Sequence, residues 1–268
     1  MSSIDWKKYF DAIYCLSLAD NIRRREFLSD ELDRVGILNS SIFHWKITVV
    51  NNFYKYIWTN NNFNLNKYWG RVTGNNSALN CSMGHYELYR ELQALGYKRV
   101  LVLEDDICFL NNIDEIVRIL EFMPSDYDIC LLDKFLCEPL ARSEYFNEIE
   151  KMKTNDCFFN YDNIPLSSCG LFGLSNKAIN ALVEKHENSI EPPDHYTNRI
   201  TFRDGKPLIY EDGLKRYCSI KNVAIQNFNL NPPSKYSHLR IAYKGIINLE
   251  EYNYRIKDDR HIDTSNKQ

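Results

Sequence analysis

Residues 100–109, VLVLEDDICF, set three consecutive carboxylates between two apolar runs, and no other stretch constrains the fold as strongly. Val100 to Leu103 is unbroken in β-branched and leucine content, the composition of a central strand covered on both faces. Leaving Glu104, Asp105 and Asp106 half-buried without compensation would cost several kcal/mol, so a positive partner is required at the end of this strand. In an extended chain Glu104 and Asp106 share a face and Asp105 points the other way. The outer pair is then placed to hold one divalent cation, and hard oxygen donors suit Mg²⁺ or Mn²⁺. A solvated strand end or a helix cap accounts for the same residues, and a phosphatase or a nuclease would use them equally well.

The remaining chain alternates between strand-like and helix-like patterns. Ala12 to Leu18 (AIYCLSL) reads as a buried strand, and Asp20 and Asn21 then offer caps for a helix to about Val35, stopped by Gly36. His44 to Val50 is a second strand, and Asn51 to Gly74 is a long aperiodic loop. Ser77 to Leu95 reads as a helix stopped by Gly96, Ile113 to Phe122 as another, and Tyr127 to Leu132 and Ser168 to Leu174 as strands. A helix capped by Ser175 or Asn176 follows to about Glu187. This order predicts an α/β, Rossmann-type domain with a mainly parallel central sheet flanked by helices and ligands at the strands' carboxyl ends. No linker divides residues 1–245, which read as a single domain. Residues 246–268 form a polar C-terminal extension.

Composition excludes some partners. Lys+Arg 33 against Asp+Glu 36 leaves a net charge of -3, which supplies no broad basic field for nucleic acid. The longest apolar runs fall far short of the roughly 20 residues that cross a bilayer, so no transmembrane segment is expected. The opening MSSIDWKKYFDAIYCLSL lacks a small-residue cleavage site after an apolar stretch, which argues against a secretory signal. Eight cysteines stand singly, with no C-x-x-C pair, and free buried thiols in a reducing cytoplasm account for them. The absence of a GxxxxGK[ST] loop sets phosphoryl transfer aside.

Three segments carry a resemblance. LSLADNIRRREFL (Leu16 to Leu28), ALNCSMGHYELYRELQALGYKRVLVLEDDI (Ala78 to Ile107) and the stretch from SSCGLFGLSNKAINAL to EPPDH (Ser167 to His195) occur in that order. They resemble glycosyltransferase family 25, the group of lipooligosaccharide and collagen galactosyltransferases. The first is similar to INLxRSxxRRxxF, with Arg24 on the recurrent arginine, and the second to EIGCALSHxxxW followed by ILEDDV. The third is similar to a later glycine-containing strand, a helix and a Pro-x-Asp. Ser17, Ala78, Asn80 and Gly84 stand where the family has asparagine, an acidic residue, glycine and serine.

The resemblance implies a GT-A-type fold and metal-dependent, inverting transfer of a hexose, galactose first and glucose next, from a UDP-sugar. The acceptor is a hydroxyl of a glycan or a glycosylated protein. Asp106 is then the leading metal ligand, with Glu104 on metal or ribose, Asp105 assisting, and His238 completing the shell around Mn²⁺ or Mg²⁺. Ser17, Leu18, Arg24, His85 and Gly170 fall in the donor site. There Arg24 offers a fork to phosphate oxygens, His85 a bond to a donor hydroxyl, and Gly170 a close backbone approach to the sugar. The structural alternatives are a helix-face ion pair, a satisfied helix histidine and tight strand packing. Inversion needs a carboxylate base, for which Asp194 is the first candidate, against a helix cap. Asp133, at the end of YDICLLD, competes with it. The alternative function is a carbohydrate-binding or scaffold member of the same fold without catalysis.

Overall fold

A computed structural model describes residues 4–48, 76–136, 142–164, 166–167, 170–188, 193–203, 206–227, 230 and 248–253. The expected loop at 51–74 lies outside these residues. The elements run β1 (Ala12–Leu18), α1 (Ile22–Arg34), β2 (Phe43–Thr48), α2 (Asn76–Leu95), β3 (Arg99–Glu104), β4 (Ile107–Phe109), α3 (Ile113–Glu121), β5 (Ile129–Leu131), β6 (Phe135–Leu136) and α4 (Arg142–Met152). They continue through β7 (Phe158–Asn160), β8 (Leu166–Ser167), β9 (Leu171–Ser175), α5 (Asn176–Asn188), α6 (Pro193–Thr197), β10 (Ile200–Arg203), β11 (Lys206–Ile209), β12 (Arg216–Ser219) and β13 (Ala224–Gln226).

Period-two side-chain alternation divides the central strands between two cores. Ile13, Cys15, Leu101 and Leu103 pack with Phe27, Leu28 and Leu32 of α1 and with Ile116 and Ile119 of α3. Their neighbours Tyr14, Leu16, Val100 and Val102 pack on the other face with Met83, Leu88 and Leu92 of α2 and with Ile179 and Leu182 of α5. Burial on both faces explains why these strands carry no polar alternation. Each fully buried leucine or isoleucine contributes roughly 1.5–3 kcal/mol.

Seven strands form one sheet in the order β2-β1-β3-β9-β5-β12-β7. β2, β1, β3, β5 and β12 run one way, while β9 and β7 run against them. The sheet is thus mostly parallel in direction, as expected, but β9 (LFGLS) enters it reversed between β3 and β5. Apolar content determines that such a strand is buried; it carries no information about direction.

The order β2-β1-β3 makes a crevice. α1 leads from β1 outward to β2, α2 crosses back on the opposite face to β3, and the chain then continues on the far side. Neighbouring strands whose connections leave in opposite senses open a gap at their carboxyl ends, where α/β sheets bind ligands. Positive φ angles at Gly36 (76°) and Gly96 (69°) stop α1 and α2 and set their lengths.

Residues 248–253 pack on this domain. Tyr252 is buried, bridges to Leu110, and donates its hydroxyl to the Asn222 carbonyl at 2.9 Å. Among the described residues Cys15, Cys81, Cys108, Cys130, Cys157 and Cys218 are free thiols, and burial pushes the Cys218 thiol up to about 12. No described helix is long and apolar enough to cross a membrane.

Candidate active site

The acidic run stands at the β1/β3 crevice, but its geometry departs from strand alternation. β3 ends at Glu104, and Asp105 and Asp106 form a turn before β4. The extended conformation that would have put Glu104 and Asp106 on one face therefore stops after Glu104, and Asp105 and Asp106 meet Arg24 while Glu104 meets other partners.

Asp105 turns toward β1 and α1, where donors surround it. Ser17, near the carboxyl end of β1, donates its hydroxyl to Asp105 Oδ2 at 2.6 Å, and Asn21 donates Nδ2 to the same oxygen at 3.1 Å. Arg24 donates Nη1 to Asp105 Oδ1 at 2.8 Å and lies 3.3 Å from Asp106 Oδ2. Asn21 holds the N-cap position of α1 without a side-chain capping bond; its amide serves Asp105 instead. Asp105 is 3% and Asp106 5% exposed.

The three consecutive arginines of α1 are separated by their surroundings. Arg23 is exposed. Arg25 is committed to structure: its guanidinium donates to Ser17 Oγ at 3.0 Å, to the Leu18 carbonyl, and to the Ala19 carbonyl at 2.8 Å. Leu18 thus meets Arg25 through its backbone. Arg24 alone of the three reaches the acidic turn. Burial works against its charge, yet Asp106 and Asp105 outweigh that effect and raise its pKa.

Glu104 points to α2. Its Oε1 lies 3.3 Å from His85 Nε2 and accepts from Cys81 Sγ at 3.5 Å, while Oε2 accepts from Gln226 Nε2 at 3.2 Å. The other ring nitrogen of His85 is 3.1 Å from the Tyr89 hydroxyl, and the imidazole stacks on Phe172. Ligand atoms of Cys81, His85 and Glu104 all lie within 4.8 Å of one another, so these three side chains form a possible metal site. Sequence reading overlooked Cys81, Asn21 and Gln226. The spacing of Cys81 and His85, four apart on one helix face, was the available signal.

Asp133 and Gly170 lie on the same sheet edge. Asp133 follows β5 and is fully buried, with Oδ1 3.5 Å from Asn222 Nδ2. Gly170 precedes β9 and accepts from the Glu104 amide at 3.0 Å. The close approach at Gly170 is to Asp133, since a Cβ there would stand 2.3 Å from Asp133 Oδ2 and 3.2 Å from Ile107. The packing alternative therefore describes this glycine. Gly170→Ala is expected to destabilise the protein by about 1–3 kcal/mol through overpacking. A urea midpoint equal to wild type would contradict so tight a fit.

Asp194 is the second residue of α6, inside the helix and not at its cap, and its side chain lies outside the described residues. His238 also lies outside them. The structure thus brings Ser17, Leu18, Arg24, Glu104, Asp105, Asp106, His85, Gly170 and Asp133 to one edge of the sheet.

Counted formally, the crevice floor carries three carboxylates (Glu104, Asp105 and Asp106) and two guanidiniums (Arg24 and Arg25), a sum of −3 + 2 = −1. The model of glycosyltransferase family 25, described as LPS biosynthesis protein, matches residues 10–197. That span runs from just before β1 to the end of α6 and contains every element of this edge. No curated protein matches the chain.

Proposed function

The chain belongs to glycosyltransferase family 25, and from that premise we propose that it transfers a hexose, galactose before glucose, from a UDP-sugar to a hydroxyl of a glycan or a glycosylated protein. The Arg24–Asp105–Asp106 cluster at the β1/β3 crevice carries this reading. It fits a GT-A arrangement, with the nucleotide-sugar lying across the strand ends of one catalytic domain, 1–245, and 246–268 as an extension. Free thiols favour the cytoplasm as its location.

The chemistry requires charge stabilisation on the departing diphosphate and removal of the acceptor proton. Arg24 supplies the first from the protein side: its charge is secured by Asp105 and Asp106, and a guanidinium binds phosphate oxygens with a matched fork. Ser17 and Asn21 position Asp105, and through it Arg24. An inverting displacement needs a carboxylate base facing the acceptor. Asp194 takes that role, because Asp133 has no exposed surface from which to reach an acceptor hydroxyl.

A net −1 floor repels a diphosphate, which favours a divalent cation as well. Mn²⁺ or Mg²⁺ held by Glu104, Asp106 and His238 is the ion expected from the acidic run. The described residues do not fit it: Asp106 faces Arg24, Glu104 faces α2, and the donors gathered around Glu104 include a thiol and an imidazole. Mg²⁺ requires an octahedron of oxygens.

UDP release from UDP-galactose and UDP-glucose, with GDP- and CMP-sugars as controls and with Mn²⁺, Mg²⁺ or Zn²⁺ added separately, tests the proposal. Release is expected with a UDP-hexose and is expected to fall by about 10²–10⁴-fold in Asp194→Asn. Sugar binding without release from any donor would support the carbohydrate-binding alternative and end the catalytic reading.

A further inference from the structure

We propose that Cys81, His85 and Glu104 form a three-ligand site for a zinc-class divalent ion at the edge of the crevice, in place of a carboxylate site for Mn²⁺ or Mg²⁺. The spacing of the donor atoms is the first argument. Four-coordinate zinc with bonds of about 2.0–2.1 Å to nitrogen, 2.0–2.2 Å to oxygen and 2.3 Å to sulfur places tetrahedral neighbours about 3.3 Å apart for nitrogen and oxygen, and about 3.6 Å apart for sulfur and oxygen. Here His85 Nε2 is 3.3 Å and Cys81 Sγ 3.5 Å from Glu104 Oε1, and the three-atom set closes within 4.8 Å. Two edges of the coordination triangle are therefore already at their liganded lengths.

The supports of the ligands are the second argument. Metal-binding imidazoles engage their other nitrogen, and metal-binding carboxylates their other oxygen, with a fixed partner. The second nitrogen of His85 is held at the Tyr89 hydroxyl, and the second oxygen of Glu104 accepts from Gln226. Cys81 and His85 rise from one face of α2, and Glu104 ends β3, so all three ligands stand on regular elements. Donor chemistry then selects the ion, since a thiolate with an imidazole and a carboxylate favours zinc or cobalt over magnesium or manganese.

Charge gives the site its use, and this step rests on the proposed transferase reading. An ion of +2 with a thiolate of −1 brings the formal floor charge from −1 to 0 and removes the repulsion toward a diphosphate. Three protein ligands leave a fourth tetrahedral position open, the pattern of catalytic rather than structural zinc.

The test reads binding, so it is independent of turnover. The full chain, stripped with chelator and dialysed, is titrated calorimetrically with Zn²⁺, Mn²⁺ and Mg²⁺, and separately with Co²⁺ by absorbance. One equivalent of Zn²⁺ is expected, with Mn²⁺ and Mg²⁺ failing to compete. Bound Co²⁺ is expected to show a thiolate charge-transfer band that Cys81→Ser removes and Cys218→Ser keeps. Zn²⁺ affinity is expected to drop beyond the about 10–100-fold typical of outer-shell loss in Cys81→Ser and in Glu104→Gln, each checked for folding by circular dichroism. The absence of a thiolate band in the wild type, or Zn²⁺ binding unchanged in both folded variants, overturns the site whatever the enzyme does with sugars. Zinc bound as expected with no UDP release would leave the site standing and remove the transferase reading.

Discussion

Replacing Arg24 with alanine is expected to lower kcat/KM for sugar transfer by about 10²–10³-fold, the usual cost of losing one preorganised charge-stabilising donor. Its Nη1 touches both Asp105 and Asp106, at 2.8 and 3.3 Å, so the substitution removes the cation that both carboxylates face. The formal charge of the floor falls from −1 to −2, and a doubly charged diphosphate meets it without a guanidinium. Both donor affinity and leaving-group stabilisation suffer, so KM for the donor rises while kcat falls. The side chain is 24% exposed, which lets water fill part of its place and softens the cost of leaving both carboxylates without their cation. Arg24→Lys separates charge from shape, because lysine restores the positive charge without the fork. Partial recovery of KM with kcat still low is the expected split. A folded Arg24→Ala protein turning over within about twofold of wild type would take Arg24 out of the donor site.

The edge of the sheet was legible in sequence because charge changes abruptly there. VLVL followed by EDD marks a two-sided strand and its carboxyl end, and AIYCLSL marks its neighbour by the same apolar run. The reversal of β9 was not legible, since SCGLFGL has the same composition in either direction. The roles within the acidic run were misread for a different reason. Strand alternation holds only to Glu104, two residues short of Asp106, and the turn at Asp105–Asp106 sends neighbouring carboxylates to α1 while Glu104 goes to α2. Contacts between Glu104 and the Cys81–His85 pair depend on where α2 crosses β3, which is set by core packing and left no mark on the local pattern. Asn21 misled in the opposite way. It has the residue type of a cap and holds the cap position, yet its side chain is spent on Asp105.

Those partners make Asp105 the most demanding position in the run. Asp105→Ala is expected to cost about 3–5 kcal/mol, the range for removing one member of a buried charge pair, because Arg24, Ser17 and Asn21 would all lose an acceptor inside the protein. Every bond of this shell is one that Asp105 accepts. Ser17 and Asn21 give hydrogens to Oδ2 and Arg24 gives one to Oδ1. Ser17 can turn its hydrogen to the Leu18 carbonyl at 3.3 Å and accept on its second lone pair beside Arg25 at 3.0 Å, but only by giving up the bond it makes to residue 105. Asp105→Asn is therefore no conservative change. An NH₂ on the Oδ1 side faces Arg24, which can only donate, and one on the Oδ2 side requires Ser17 and Asn21 to reverse their bonds, so a loss smaller than that of alanine is expected. Urea unfolding of both variants, with the denaturant slope unchanged and the midpoint lowered in each, is the expected result. Wild-type stability in Asp105→Asn would mean that the donor shell does not hold in solution. A large loss in both would give Asp105 the task of fixing Arg24 and the β1–α1 turn.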